Sequence, residues 1–189
     1  MNYLRLHGRK VPLFPLSDFY EGKNLPEISL VDPDEMPQIC RNLLVHQNDM
    51  TPTLERHFNS RIKLKVIHSV QVGLLYKREV LLVLEKNGQC VEFGAIQIHL
   101  SNFIPSHRAL ILENRIPLGT ILHMNRIPHI SQPSAYIHVI PDPAILKALG
   151  LEQPQPLFGR CNTLKDLDGW PLAEVVEIIP PLTISEEKS

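Results

Sequence analysis

The chain lacks a surplus of charge of either sign. Its 189 residues carry 19 lysines and arginines against 20 aspartates and glutamates, which gives a formal net charge of −1. A nearly neutral protein gains little from the long-range attraction that draws basic proteins to nucleic acid or to an anionic membrane. We therefore expect neither partner, and any attraction for an anion must be local.

Paired cysteines, metal-ligand spacings and long apolar segments are also missing. The three cysteines, Cys40, Cys90 and Cys161, are far apart and odd in number, which argues against a disulfide framework or a zinc site. The nine histidines include no His-Glu-x-x-His pattern. No uninterrupted apolar run approaches membrane-spanning length. We predict a cytoplasmic protein without a metal site.

The composition that is present fits one globular domain. A hydrophobic content of 43% is enough for a sizeable core in a chain of this length. Five prolines lie within the first 37 residues, which predicts an irregular arm over residues 1–37. The folded domain is expected over residues 38–182, followed by a polar tail at 183–189.

Hydrophobic periodicity and turn signals predict an α+β fold. Asn87-Gly88 and Asp168-Gly169 mark two hairpins, so neighbouring strands should be antiparallel. Strands are predicted over residues 62–75, 76–84, 91–100, 135–140, 158–167 and 170–179. Helices are predicted over residues 34–46, from Thr51 onward, and over 101–113, 117–124 and 142–150.

Two of the predicted strands carry charged residues that need partners. The last strand is apolar except for Glu174 and Glu177, and an earlier apolar strand carries Arg78. Carboxylates seldom lie in such strands without a partner, and the fork of a guanidinium suits it to gripping a carboxylate. The acid and the arginine could therefore share one pocket.

Residues 41–181 resemble the chorismate pyruvate-lyases that make 4-hydroxybenzoate, together with their plastid and cyanobacterial relatives. Residues 43–51 are similar to the family's leucine-rich helix that ends in Met-Thr, and 78–82 to its Arg-Glu-Ile-Leu-Leu strand. Pro-Leu-Gly at 117–119 matches the head of a flap helix, and 169–177 resembles the closing strand with its glutamate. The four segments occur in the family's order.

The resemblance implies a six-stranded antiparallel sheet with helical flaps that close over an internal ligand cavity. It also implies an activity: removal of the enolpyruvyl group of chorismate as pyruvate, leaving 4-hydroxybenzoate for quinone synthesis or another route. The aromaticity of the product drives that reaction, so no cofactor is implied. The partner would be chorismate or a related aromatic-acid precursor.

The resemblance also assigns roles to particular residues. Arg78 would bind the ring carboxylate, helped by the backbone N–H groups of Met50 and Leu118. Glu177 would face the ring hydroxyl at the opposite end and serve as the acid, since burial of a glutamate raises its proton affinity. With Arg78 it forms the predicted catalytic pair.

The sequence departs from the family pattern at two positions. Well-studied bacterial lyases have a second arginine where this chain has Ala95, so we include Arg108 as a substrate-binding residue that could restore the charge. The spacing to the closing glutamate is one residue longer, which requires either a bulge or the use of Glu174. We favour Glu177, and in a regular strand these two acids point to opposite faces.

Plainer structural roles remain open for both charged residues. Each could belong to an ordinary ion pair rather than to a binding site, and a cross-strand pair contributes only about 0.2–1 kcal/mol. The pairs in question are Arg78 with Glu79 or Glu92, and Glu177 with Arg160 or Lys165.

Two other functions also remain open. The same fold resembles the effector domains of some bacterial transcription regulators, so the protein could bind a small aromatic acid without catalysis. Such regulators carry a DNA-binding domain, and an arm of 37 residues is too short and too proline-rich to be a winged helix. Alternatively, the loss of arginine at Ala95 would suit a lyase or hydrolase that acts on a related cyclohexadiene carboxylate.

Overall fold

A computed structural model describes residues 3–6, 9–20 and 25–182 of the protein, with side chains from residue 13 onward. The predicted polar tail at 183–189 lies outside the described residues. None of the helices in the described part is both long enough and apolar enough to cross a membrane.

One large antiparallel sheet organises the fold. Its seven strands lie in the order β3-β7-β8-β9-β6-β5-β4, and β1 and β2 form a separate hairpin. The strands are β1 (Tyr3–Leu6), β2 (Arg9–Pro12), β3 (Glu27–Leu30), β4 (Ile62–Val72), β5 (Leu75–Leu84), β6 (Cys90–His99), β7 (Ile130–Ile140), β8 (Leu157–Lys165) and β9 (Pro171–Ile179).

Five α-helices accompany the sheet within the described residues, so the predicted α+β class is confirmed. The helices are α1 (Gln38–Leu44), α2 (Met50–Phe58), α3 (Pro105–Leu112), α4 (Leu118–Met124) and α5 (Pro143–Leu149). The helix predicted over 101–113 is divided, because the chain makes a 3-10 turn at Leu100–Asn102 and α3 begins only at Pro105. Proline at the first helical position cannot donate the hydrogen bond that would continue an earlier turn.

The expectation of six strands was wrong, because the main sheet has seven. The additional strand is β3, which lies in the segment predicted to be an irregular arm and pairs with β7 at the sheet edge. Its four residues are too few to give a clear periodic pattern. Long-range pairing such as that of Ile28 with Val139 stabilises the strand, and a local pattern does not reveal such pairing.

The two faces of the sheet have different neighbours. On one side, called the far face, Leu81, Phe93, Ala95 and Val176 belong to a hydrophobic cluster that includes residues of α5 and of the 3-10 helix Leu16–Tyr20. The opposite side, called the pocket face, is covered by α1 to α4 and contains two separate clusters. One cluster involves α3 and α4, and the other involves α1 and α2.

Candidate functional site

A pocket opens on the pocket face, where the sheet meets the first turns of α2 and α4. It has about 530 Å³ of space free of protein atoms, including its opening to solvent. Strand residues form its floor, while Met50 and Thr51 of α2 and Leu118 and Gly119 of α4 line the helical side. The resemblance predicted a cavity under helical flaps, and the described residues contain a pocket of this kind.

Close packing of the two helices narrows this side of the pocket. A Cβ atom placed on Gly119 would lie 3.1 Å from Oγ1 and 3.4 Å from Cβ of Thr51. The first separation is tighter than an ordinary van der Waals contact, so glycine at this position allows the helix ends to approach. The Pro-Leu-Gly segment noted in the sequence therefore has a packing role here.

Arg78 lies on β5 and lines the pocket with only 1% of its surface exposed. Its Nη1 donates to Oδ1 of Asn114 at 2.9 Å and to the carbonyl oxygen of Ile111 at 3.4 Å. Both acceptors are neutral, and Nε has no hydrogen-bond partner. Burial lowers the pKa of Arg78 to about 10, so the side chain remains a cation at neutral pH.

Glu177 lines the same pocket and is bound to Arg160, the residue directly opposite on β8. Nε of Arg160 donates to Oε2 of Glu177, and both side chains are buried. The other guanidinium nitrogens donate to the carbonyl oxygens of Leu44, His46 and Asn48 at 3.1–3.3 Å. The cross-strand pair considered in the sequence is therefore present, but it is buried and ties the α1–α2 connection to the sheet.

The pocket contains a second buried glutamate, Glu92, that was not among the predicted site residues. It is 4% exposed, lines the pocket from β6, and its Oε2 has no hydrogen-bond partner. Burial, and then the nearby Glu177 carboxylate, raise the pKa of Glu92 well above its ordinary value. A carboxylate in the apolar run Val91-Glu92-Phe93 is the same signal that drew attention to Glu177, so the sequence could have revealed it.

A third acid, Asp49, lines the pocket just before α2. Its Oδ2 lies 2.8 Å from Nε2 of His129, and Nδ1 of that ring lies 2.8 Å from the carbonyl oxygen of Ile127. The pKa of His129 is raised, chiefly by its hydrogen bond with Asp49. The raised pKa favours the imidazolium form, which donates to both acceptors.

Four of the five predicted site residues come together in this pocket: Met50, Arg78, Leu118 and Glu177. Arg108 does not line it. Its Nε donates to the carbonyl oxygen of Phe103 at 2.7 Å and its Nη2 to that of Ser101 at 3.4 Å, so the side chain secures the segment before α3. The catalytic and binding roles themselves stay predictions.

The two departures from the family pattern have structural counterparts. Ala95 lies in the far-face cluster, so its side chain is directed away from the pocket, which Gly94 and Ile96 line instead. The extra residue in the last strand is accommodated by a register shift between β8 and β9. Leu164 pairs with Ala173 and the next residue, Lys165, pairs with Pro171, so one residue of β9 is passed over between the two pairs.

Glu174 is separated from the pocket by the sheet. It binds His99, with Nε2 of the ring 2.7 Å from its Oε2, and it does not line the pocket. The expectation that Glu174 and Glu177 point to opposite faces therefore agrees with the structure.

Comparisons with known proteins show likeness in structure alone. No protein-family profile matches the chain, and no curated protein matches it in sequence. Among solved structures, PhnF from Mycobacterium smegmatis aligns with a TM-score of 0.52 and 13% identity over 71% of this chain. The match spans 64% of the length of PhnF.

The alignment covers a larger share of two other solved structures. The effector domain of PhnF aligns with a TM-score of 0.52 and 13% identity, over 70% of this chain and 88% of that domain. A gene product of Staphylococcus aureus N315 aligns with a TM-score of 0.54 and 10% identity, over 72% of this chain and 90% of the other. The protein thus has an α+β fold like that of the effector domain of PhnF.

Proposed function

We propose that the protein is a ligand-binding domain that recognises a small organic acid in this pocket and does not convert it. The observation that carries the proposal is the uncompensated cation at Arg78. A buried guanidinium with an unpaired Nε is costly unless a further acceptor satisfies it, and an acid group of a ligand would do so.

The acids around the pocket do not cancel this attraction, because two of them are already paired and the third favours its neutral form. Glu177 is paired with Arg160, and Asp49 is paired with His129. The raised pKa of Glu92 favours its neutral form. Arg78, whose hydrogen-bond acceptors are both neutral, remains as the charge that a ligand can neutralise.

The fold supports the same proposal. The structural likeness to the effector domain of PhnF supports ligand sensing over catalysis. Small-molecule pockets in proteins commonly combine apolar walls with a few convergent polar groups. This pocket follows that pattern, since Val80, Leu82 and Leu164 line it beside Arg78.

Calorimetric titration with 4-hydroxybenzoate tests the proposal. We expect the wild type to bind, and Arg78→Met to weaken binding by about 10- to 100-fold because a charge-assisted contact is lost. Arg108→Met is the matched control, since it removes a guanidinium outside the pocket, and it should bind like the wild type. Equal affinities for the wild type and Arg78→Met would overturn the proposal.

A second candidate function is the chorismate pyruvate-lyase activity implied by the sequence resemblance. The observation in its favour is Glu92, a buried acid whose raised pKa would let it hold a proton near a bound ring. In the reaction, the ring carbon that bears the hydroxyl loses a proton, the bond from the neighbouring ring carbon to the enolpyruvyl oxygen breaks, and that oxygen takes up a proton. Glu92 would supply this last proton, with Glu177 as the alternative acid. The enol released becomes pyruvate, and the proton lost from the ring restores the acid.

Incubation with chorismate separates the two candidate functions. Release of pyruvate together with 4-hydroxybenzoate would support the lyase, and binding without turnover would support the sensor. Formation of 3-hydroxybenzoate or of a dihydrodiol would indicate the related chemistry on cyclohexadiene acids. If turnover occurs, comparison of Glu92→Gln with Glu177→Gln identifies the acid as the residue whose replacement lowers kcat more than it raises KM.

A further inference from the structure

Two unsatisfied groups occupy one pocket. In the part of the chain that the structure describes, the buried side-chain nitrogen and oxygen atoms without a hydrogen-bond partner are Nε of Arg78 and Oε2 of Glu92. Folded proteins rarely leave such atoms unpaired, because each costs about 1–3 kcal/mol. That both line the same pocket indicates that one bound molecule satisfies both.

The sheet register sets these groups at opposite ends of the pocket. Arg78 pairs with Ile96, and Glu92 pairs with Leu82, four residues further along β5. Four residues of a strand extend roughly 13 Å between the two backbone positions, and the Glu92 carboxylate reaches toward Gly94, where a Cβ atom would lie 3.1 Å from its Oε1, so the space left before Arg78 suits a molecule of about one ring with a substituent at each end. The absence of a side chain on Gly94 leaves room for the Glu92 carboxylate on the pocket floor.

We infer that the ligand has two polar ends, an acid group that binds Arg78 and a hydrogen-bond donor, such as a hydroxyl or an amine, that binds Glu92. Glu92 is then the residue that determines specificity. This inference rests on the proposed function, because it assumes an acid at Arg78, and it adds the chemistry of the other end.

Electrostatics at Glu92 favours a donor over a second acid. Glu177 is close enough to raise the pKa of Glu92, so a ligand carboxylate at this end would be repelled by the Glu177 charge. The charge of Arg160 offsets this repulsion only in part, because its effect on the pKa of Glu92 is smaller than that of Glu177, and its nitrogens are already bound to Glu177 and to three backbone carbonyls. A hydroxyl suits either form of Glu92 at no such cost, because it can donate to an unprotonated oxygen or accept from the neutral carboxyl, and an ammonium would bind the ionised form.

Matched pairs of probes measure this preference. Benzoate is compared with 4-hydroxybenzoate, and 3-phenylpropanoate with 3-(4-hydroxyphenyl)propanoate, so that each pair differs in one hydroxyl at a fixed length. In the wild type we expect the hydroxyl to improve the affinity by about tenfold in the pair whose length fits the pocket. Terephthalate, with a second carboxylate, should bind more weakly than benzoate.

Glu92→Leu should remove the preference while leaving the acid site intact. The two members of the fitting pair should then differ by less than about twofold, with the affinity of the hydroxyl-free probe kept. A tenfold preference that persists in Glu92→Leu would overturn the inference and leave the proposed function standing. Failure of every probe to bind the wild type would overturn the proposed function itself.

A second variant gives an independent test if Glu92→Leu does not fold. A Cβ atom on Gly94 would lie 3.1 Å from Oε1 of Glu92 and 3.3 Å from Cγ2 of Val80, so Gly94→Ala obstructs the Glu92 end without changing its charge. We expect the hydroxyl preference to fall and benzoate binding to persist. An unchanged preference in Gly94→Ala would count against Glu92 as the second contact.

Discussion

The two faces of the main sheet differ in what they bury. In the described part of the chain, the buried ionisable side chains of acids and arginines are Arg78, Glu92, Arg160 and Glu177, and all four lie on the pocket face. The far face is held by apolar side chains such as Phe93, which packs in the cluster with α5. Strands β5, β6 and β9 contribute to both faces, so the same backbone supports an apolar core on one side and a charged floor on the other.

This difference assigns the far face chiefly to stability and the pocket face to the proposed binding of a ligand. Burial of apolar surface contributes roughly 25 cal/mol per Å², whereas burial of charge is costly unless every group is paired. On the far face, the acid Glu174 is only partly buried and is paired with His99. On the pocket face, Arg160 and Glu177 compensate each other, but Arg78 and Glu92 each retain an unsatisfied atom.

Removal of Arg160 should give the largest loss of stability on the pocket face. Arg160→Leu strands the Glu177 carboxylate and frees three carbonyl oxygens, so we expect a loss of about 3–5 kcal/mol in the free energy of unfolding, measured by urea denaturation. On the far face, Ile137→Val is the control and should cost about 0.5–1.5 kcal/mol.

The double variant tests the reason for this loss. Arg160→Leu combined with Glu177→Leu should recover part of the stability, since no buried carboxylate is then left alone. A double variant no more stable than Arg160→Leu would show that the loss of the carbonyl contacts, which both variants share, outweighs the cost of the unpaired carboxylate.

Glu92 should make the stability of the pocket face depend on pH. Its pKa is raised above the ordinary 4.5, so as pH rises above that value the unfolded chain releases the proton first and the folded protein loses stability until Glu92 ionises. Glu92→Gln removes this dependence and should become more stable than the wild type by about 1–3 kcal/mol toward the alkaline end. Urea denaturation between pH 5 and 8 checks this, and parallel curves would contradict it.

A smaller effect is expected at His129. Its raised pKa contributes stability that is fully present below the ordinary value of 6.5 and is lost as pH rises through the higher folded-state value. His129→Gln should therefore cost about 1 kcal/mol at pH 5.5 and less at pH 8.5. His123→Gln, which changes an exposed histidine on α4, is the control for the substitution itself and should change the free energy of unfolding by less than about 0.5 kcal/mol.

Local signals in the sequence were sufficient for much of the fold. The prediction of a helix over 142–150 holds because its ends carry their own chemistry: Asp142 accepts from the N–H of Ile145 at 2.8 Å, and Gly150 takes a left-handed φ of 68°. Both predicted hairpins are also present, as the pairings of β5 with β6 and of β8 with β9 show. These features depend on a few adjacent residues.

Features set by distant contacts were harder to predict. Strand β3 is defined by β7, more than a hundred residues away, and its own four residues give little signal. In the site, Arg78 and Glu177 were found because each is a charge in an apolar strand, and Glu92 has the same signature. The role of Glu92 in the pocket depends on which face of the sheet its side chain occupies and on its proximity to Glu177. Both are set by the strand register, which a local pattern does not reveal.

The three carbonyl contacts of Arg160 have a consequence for the segment between α1 and α2. Carbonyl oxygens of Leu44, His46 and Asn48 belong to the backbone and exist whatever side chains the segment carries. The backbone path of this connection is therefore fixed by an arginine more than a hundred positions later in the chain. The exposed side chains of the connection are free to vary in evolution. Diversity in this segment among relatives would be compatible with an invariant arginine on β8.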